Sequence, residues 1–191
     1  SPTVRLAAGP RSYVATNYEQ ILKLWTRSHE LLQIDLLENV LAVSATFESW
    51  DFRCAYVTRY AEDYRLTADE RTKMMTQSLN EATQKHSFFL AMQTTRWQWG
   101  ELDKSSPAWT VRLVDSLGNN VAPESITEIK RPGAAEMTYF PYTTPLRHVF
   151  RIAFPVSIDG KPTLSPEASW VGLRFAGAQG NTTLIWELDQ P

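Results

Sequence analysis

Glycine and proline are unevenly spread along this chain: 16 of the 19 lie between Trp97 and Pro191. Glycine supplies positive φ and proline a preset φ, so the second half must be cut into short elements joined by turns. The first half has long stretches free of both, in which helices can run. At 191 residues the chain is expected to form a single domain over 1–191 with a sizeable core. Its 43% hydrophobic and 21% charged content is that of a folded globular chain rather than a disordered one.

In the first half, Asn17 with Gln20 three residues later resembles a reciprocal capping box. Ile21, Trp25, Ser28, Leu32 and Asp35 lie along one helical row, widened by Leu22, Leu24 and Leu31. That spacing predicts an amphipathic helix over 17–34. The period then drops to two: Leu41, Val43, Ala45 and Phe47 alternate with Ala42, Ser44, Thr46 and Glu48. A first strand over 39–48 is favoured over a helix continuing from 17 to 48, because Val43, Thr46 and Phe47 suit a pleated sheet. Ser49 can cap a helix over 50–64, with Trp50, Cys54, Val57, Ala61 and Tyr64 at helical spacing. Thr67 and Glu70 form a capping box for a third helix ending near 84. The span 49–84 therefore reads as a two-helix insertion.

The remaining strands occupy 86–191. Phe88, Phe89, Leu90 and Met92 look extended, and Trp109, Val111 and Leu113 alternate with polar neighbours. A short strand spans Ile126 to Ile129. His148, Phe150, Ile152 and Phe154 alternate with Val149, Arg151 and Ala153, and Asp159-Gly160 signals a turn. Val171, Leu173 and Phe175 form another strand, and Leu184, Trp186 and Leu188 the last. The expectation is an α+β protein: an immunoglobulin-like antiparallel β-sandwich of about seven strands, each one-sided. It carries an N-terminal helix and the helical insertion between its first two strands.

Ala45 to Trp50 with Phe52 to Tyr56, and Leu173 to Phe175 through Gly180 to Trp186, Glu187 and Leu188, resemble a pattern in uncharacterised bacterial envelope lipoproteins. The resemblance covers about two-thirds of the chain. It implies export to the bacterial periplasm or outer membrane and a lipid anchor ahead of Ser1. It carries no reaction. A first residue other than Met fits a chain cut after a leader, and removal of a tag explains Ser1 equally well.

The chemistry-bearing residues are sparse. A formal net charge of −2 removes the usual electrostatic reason to expect nucleic acid as the partner. The longest apolar run, Phe88 to Met92, is five residues, against the ~20 that span a bilayer. One cysteine, Cys54, excludes an intrachain disulfide, and its helical row with Trp50, Val57 and Ala61 predicts a buried thiol rather than a nucleophile. His29, His86 and His148 show no metal-ligand spacing. No Gly-x-Ser-x-Gly elbow, Ser-x-x-Lys pair or phosphate-cradling glycine loop is present. No catalytic residue, cofactor or metal is therefore expected.

Two candidate binding surfaces remain. Arg112, Arg151 and Arg174 each take the polar parity of a strand. On neighbouring strands they would form a row of guanidinium groups that fork onto carboxylates or phosphates. Trp97 and Trp99 alternate around Gln98, and Tyr139 and Tyr142 flank Phe140-Pro141; exposed, they would stack on sugar rings. The expected function is a non-enzymatic envelope protein that contacts another envelope protein. The alternative is a carbohydrate-binding module for a polysaccharide.

Overall fold

The computed structural model describes residues 2–33 and 38–189. Residue 34 and Asp35, at the end of the helix expected over 17–34, lie outside the described residues. The elements begin with β1 (Thr3–Val4), α1 (Tyr18–Trp25), β2 (Thr26–Gln33) and β3 (Glu38–Phe47). Two helices follow, α2 (Trp50–Asp63) and α3 (Ala68–Gln84), and then β4 (Lys85–Thr94). The second half holds β5 (Trp109–Asp115), β6 (Asn120–Val121), β7 (Ser125–Glu128), α4 (Ala134–Tyr139) and β8 (His148–Pro155). It closes with β9 (Ser157–Ile158), β10 (Lys161–Pro162), β11 (Trp170–Gly177) and β12 (Gly180–Leu188).

The fold is α+β. One five-stranded sheet runs β1-β12-β11-β5-β6 and the other β2-β3-β4-β8-β7. All pairings within them are antiparallel except β1 with β12. The segments read as strands coincide with β3, β4, β5, β7, β8, β11 and β12. The count of about seven falls short: β2 completes the second sheet, and β1, β6, β9 and β10 are two-residue strands, too short to show alternation. Asp159 and Gly160 both take positive φ (51° and 76°) and close the β9–β10 hairpin.

The helix expected over 17–34 stops at Trp25. The Trp25 carbonyl accepts the Trp186 indole N–H at 2.9 Å, and Thr26 turns into extended backbone. From there β2 pairs with β3, and Thr26–Thr46 and Ser28–Ser44 hydroxyl contacts of 2.8 Å join the two strands. Sheet pairing with a strand distant in sequence overrides a local helical row. The predicted caps of the next two helices are present: Ser49 accepts from Phe52 N–H and Thr67 from Glu70 N–H, both at 3.1 Å. Among the described residues, no helix is long and apolar enough to cross a membrane.

The two sheets meet through aromatics. Trp186 of β12 lies 5.5 Å from Phe88 of β4 and 6.0 Å from Phe47 of β3, while Trp25 lies 5.7 Å from Phe47. The central strands are not one-sided, contrary to expectation. Ala42, Ser44 and Thr46 of β3 are buried along with Val43, Ala45 and Phe47, because the other face is covered too, with Arg147 reaching Ser44 and Tyr142 reaching Thr46 from the segment after α4. Phe140, just beyond α4, stacks on Phe89 of β4 at 3.8 Å, and Phe52 of α2 packs against Phe140 at 5.9 Å. The polar groups beneath that layer find partners in one another and in the Tyr142 hydroxyl, 2.7 Å from Thr46 Oγ1.

Candidate functional site

The helical layer leaves part of the second sheet uncovered. Beyond Phe89, between the α2–α3 pair and the edge strand β7, lies a groove of about 490 Å³. Its sheet side follows from register. Arg151 of β8 pairs with Phe89 on one side and Thr127 on the other, while Ala153 pairs with Ser87 and Ser125. Period-two alternation puts all of these on one face. The helical side comes from the first two turns of α2, which present Arg53 and Tyr56, and from Glu81 of α3. Glu48, between β3 and α2, sits where the two walls meet.

The charges are held firmly. Arg151 Nε donates to Glu48 Oε1 at 3.2 Å, and its guanidinium lies 5.3 Å over the Phe89 ring. Glu48 is the main reason that the Arg151 guanidinium holds its proton more tightly than usual. Arg53 is buried: Nε donates to the Glu48 carbonyl at 2.8 Å, and Nη1 reaches the Ser78 carbonyl at 3.2 Å and Glu81 at 3.4 Å. Burial pushes the Tyr56 phenol up to about 12, with the Arg151 charge pulling the other way, so its hydroxyl stays protonated at neutral pH. Lys85 completes the basic set, 4.0 Å from Glu124.

The expected row of three arginines does not form. Arg112 and Arg174 are direct partners across β5 and β11, on the first sheet, whereas Arg151 belongs to the second. Their shared polar parity is real, but parity carries no information about which sheet a strand joins. The aromatic surface also separates. Tyr139 is buried against Tyr18 and Tyr56, with its hydroxyl donating to Asp63 at 2.7 Å. Tyr142 hydrogen-bonds Thr46 and the Phe89 carbonyl beneath the helical layer. Tyr139 is packed away from solvent and the half-buried Tyr142 is turned inward by its hydroxyl contacts, so the two do not form an exposed aromatic platform. Trp97 and Trp99 lie in a 3-10 turn (Trp97–Gly100); Trp97 is 54% exposed and stacks at 3.8 Å on His148.

His148 is buried between Glu128 (Nδ1 to Oε1, 2.9 Å) and the Trp97 carbonyl (Nε2 to O, 2.7 Å). His86 sits beside Phe47 near the opposite end of the β4–β8 ladder, and His29 is exposed on β2. Cys54 is buried, and burial raises its thiol pKa. Among the described residues, no group of three or more His, Cys, Asp or Glu side chains is placed to hold a metal ion.

Of the groove residues, only Arg151 stands out in the sequence. Ser87, Ser125 and Thr127 share its face through cross-strand register alone, and Arg53 and Glu81 join it through helix docking. Lys85 and Ser87 on the parity of Phe89 were a usable signal, but only with the strand order known. No family model, curated protein or solved structure matches the chain.

Proposed function

We propose that this chain is a non-catalytic binding module of the bacterial cell envelope, an immunoglobulin-like sandwich with a helical insertion, that holds a protein partner in the groove at Arg151. One observation carries the reading: Arg151 is pinned by Glu48 and Phe89 at the mouth of a polar groove, with its side chain still 45% exposed. A guanidinium fixed at its base yet open at its end loses little entropy on meeting a partner. The groove offers guanidinium, ammonium and hydroxyl groups, which recognise rather than react. Two five-stranded sheets meeting through aromatic side chains support the sandwich. The envelope assignment rests on the resemblance of the two segments around Trp50 and Trp186 to envelope lipoproteins.

The test is affinity capture from a detergent-solubilised bacterial envelope extract, comparing the native chain with two charge-reversed forms. Arg151→Glu should weaken retention of a specific partner by about tenfold or more. Arg112→Glu with Arg174→Glu, on the other sheet, should leave it unchanged. A partner retained equally by Arg151→Glu, or lost only with the Arg112/Arg174 pair, refutes the groove as the contact surface. A polysaccharide partner is the second reading, favoured by the exposed Trp97 and its neighbour Trp99. It requires tryptophan emission to change on titration with an envelope glycan, and to stop changing in Trp97→Ala.

A further inference from the structure

We infer that the groove recognises an anionic group, the side-chain carboxylate of an acidic peptide segment, clasped between Arg151, Arg53 and the Tyr56 hydroxyl. This rests on the groove being the recognition site and names the chemistry of what it takes. Arg151 uses Nε on Glu48; among the described residues neither of its terminal nitrogens has a partner. Arg53 uses Nε and Nη1, and its Nη2 has none. The Tyr56 hydroxyl and the hydroxyls of Ser87, Ser125 and Thr127 likewise make no hydrogen bond with the described residues, and all of these residues line the groove. Both guanidinium groups are anchored on one residue, Arg151 on the Glu48 carboxylate and Arg53 on its carbonyl, and both line the same recess.

Donors thus outnumber acceptors in a recess with partly buried walls. Among the described residues Glu48 gives one carboxylate oxygen to Arg151 and Glu81 one to Arg53, which leaves one unpaired oxygen on each against three unpaired guanidinium nitrogens. A ligand that brings acceptors and negative charge satisfies the surplus, and one that brings donors does not. Charge balance selects among anions. The lining holds three cationic side chains (Arg53, Lys85 and Arg151) and two carboxylates (Glu48 and Glu81), and Glu124 lies 4.0 Å from Lys85, so the recess carries no large positive excess. A planar monoanionic carboxylate brings the least negative charge into that balance and fits the fork of a guanidinium. A doubly charged phosphate would meet stronger repulsion from Glu48 and Glu81.

The test is a titration of the full chain, followed through the arginine Nε–H and Tyr56 ring signals by NMR. The probes are acetyl-Gly-Glu-Gly-Glu-Gly-amide, its Gln counterpart, and inorganic phosphate. Saturable shifts of the Arg53, Arg151 and Tyr56 signals with the Glu peptide are expected, with none from the Gln peptide. The apparent affinity should fall about tenfold in Arg151→Gln and weaken with added salt. Thr127→Glu, at an exposed edge-strand position, places a carboxylate at the mouth and should abolish the shifts even where Arg151→Gln perturbs the fold. Equal shifts with both peptides, tighter binding of phosphate than of the Glu peptide, or an unchanged affinity in Arg151→Gln would overturn the assignment. The broader reading fails separately: a captured partner indifferent to Arg151→Glu refutes the module's contact surface even when the Glu peptide still moves these signals.

Discussion

Asp51 ties the N-terminal segment to the helical layer, and its removal is the sharpest test of how that layer is held. Its carboxylate is buried and accepts from Trp25 Nε1 at 2.7 Å, from Arg11 Nε at 2.9 Å, and from the Tyr13 hydroxyl. Three segments therefore converge on one side chain: the chain before α1, the last residue of α1, and the first turn of α2. Asp51→Ala strands these donors unequally. Trp25 is fully buried, so its indole N–H is left without water or partner, a loss of about 1–3 kcal/mol. Arg11 keeps the carbonyls of Ala7, Gly9 and Pro10 and reaches solvent, so it adds under ~1 kcal/mol. Tyr13 is only partly buried and can turn to water. Loss of a carboxylate from the first turn of α2 costs a further ~0.5 kcal/mol.

The total expected from equilibrium urea unfolding is about 3 kcal/mol at unchanged m, with Asp51→Asn costing about half because one acceptor survives. A double-mutant cycle with Trp25→Phe should return a coupling of about 1–2 kcal/mol, larger than the cycle with Arg11→Ala. A loss below about 1 kcal/mol, or a Trp25 coupling near zero, would refute the claim that the buried indole bond dominates.

Two further outcomes follow from buried groups. Burial lowers the His86 pKa from 6.5 to about 4, so the fold holds the neutral ring. The unfolded chain takes up a proton that the folded chain refuses between those values. Stability therefore falls as pH drops from about 6.5 to about 4 and levels off below, by up to about 3 kcal/mol. In His86→Phe that component of the slope should vanish from urea midpoints measured across pH 7 to 4; a slope unchanged by the substitution would show the ring is solvated. At Gly100, a methyl group would come within 2.4 Å of the His148 ring carbon Cδ2. Gly100→Ala should cost about 2 kcal/mol and, by lifting Trp97 off His148, shift tryptophan emission; a native-like melting temperature would mean the 3-10 turn yields freely.

Local chemistry was legible wherever a few adjacent residues settle it. Ser49 and Thr67 cap helices because a hydroxyl reaches a backbone N–H three residues on, and no distant contact is needed. The alternation of His148, Phe150, Ile152 and Phe154 marks β8 for the same reason: the apolar face must be buried, whatever buries it. Cys54 shares a helical row with Val57 and Ala61, and that row is buried.

Tertiary structure decided the rest. Trp25 ends its helix because Trp186, 161 residues away, takes its carbonyl, while the local row from Ile21 to Leu32 points to a longer helix. Thr46 and Ser44 read as solvent-facing, yet Tyr142 and Arg147, from the segment between α4 and β8, reach over them. Arg112, Arg151 and Arg174 carry the same strand parity, but strand order sends two to one sheet and one to the other. The groove at Arg151 is assembled from β4, β7, β8, α2 and α3. Side-chain periodicity reports which way a residue points within its own element. Which elements stand opposite is set by the packing of the whole chain, and that is where this site was made.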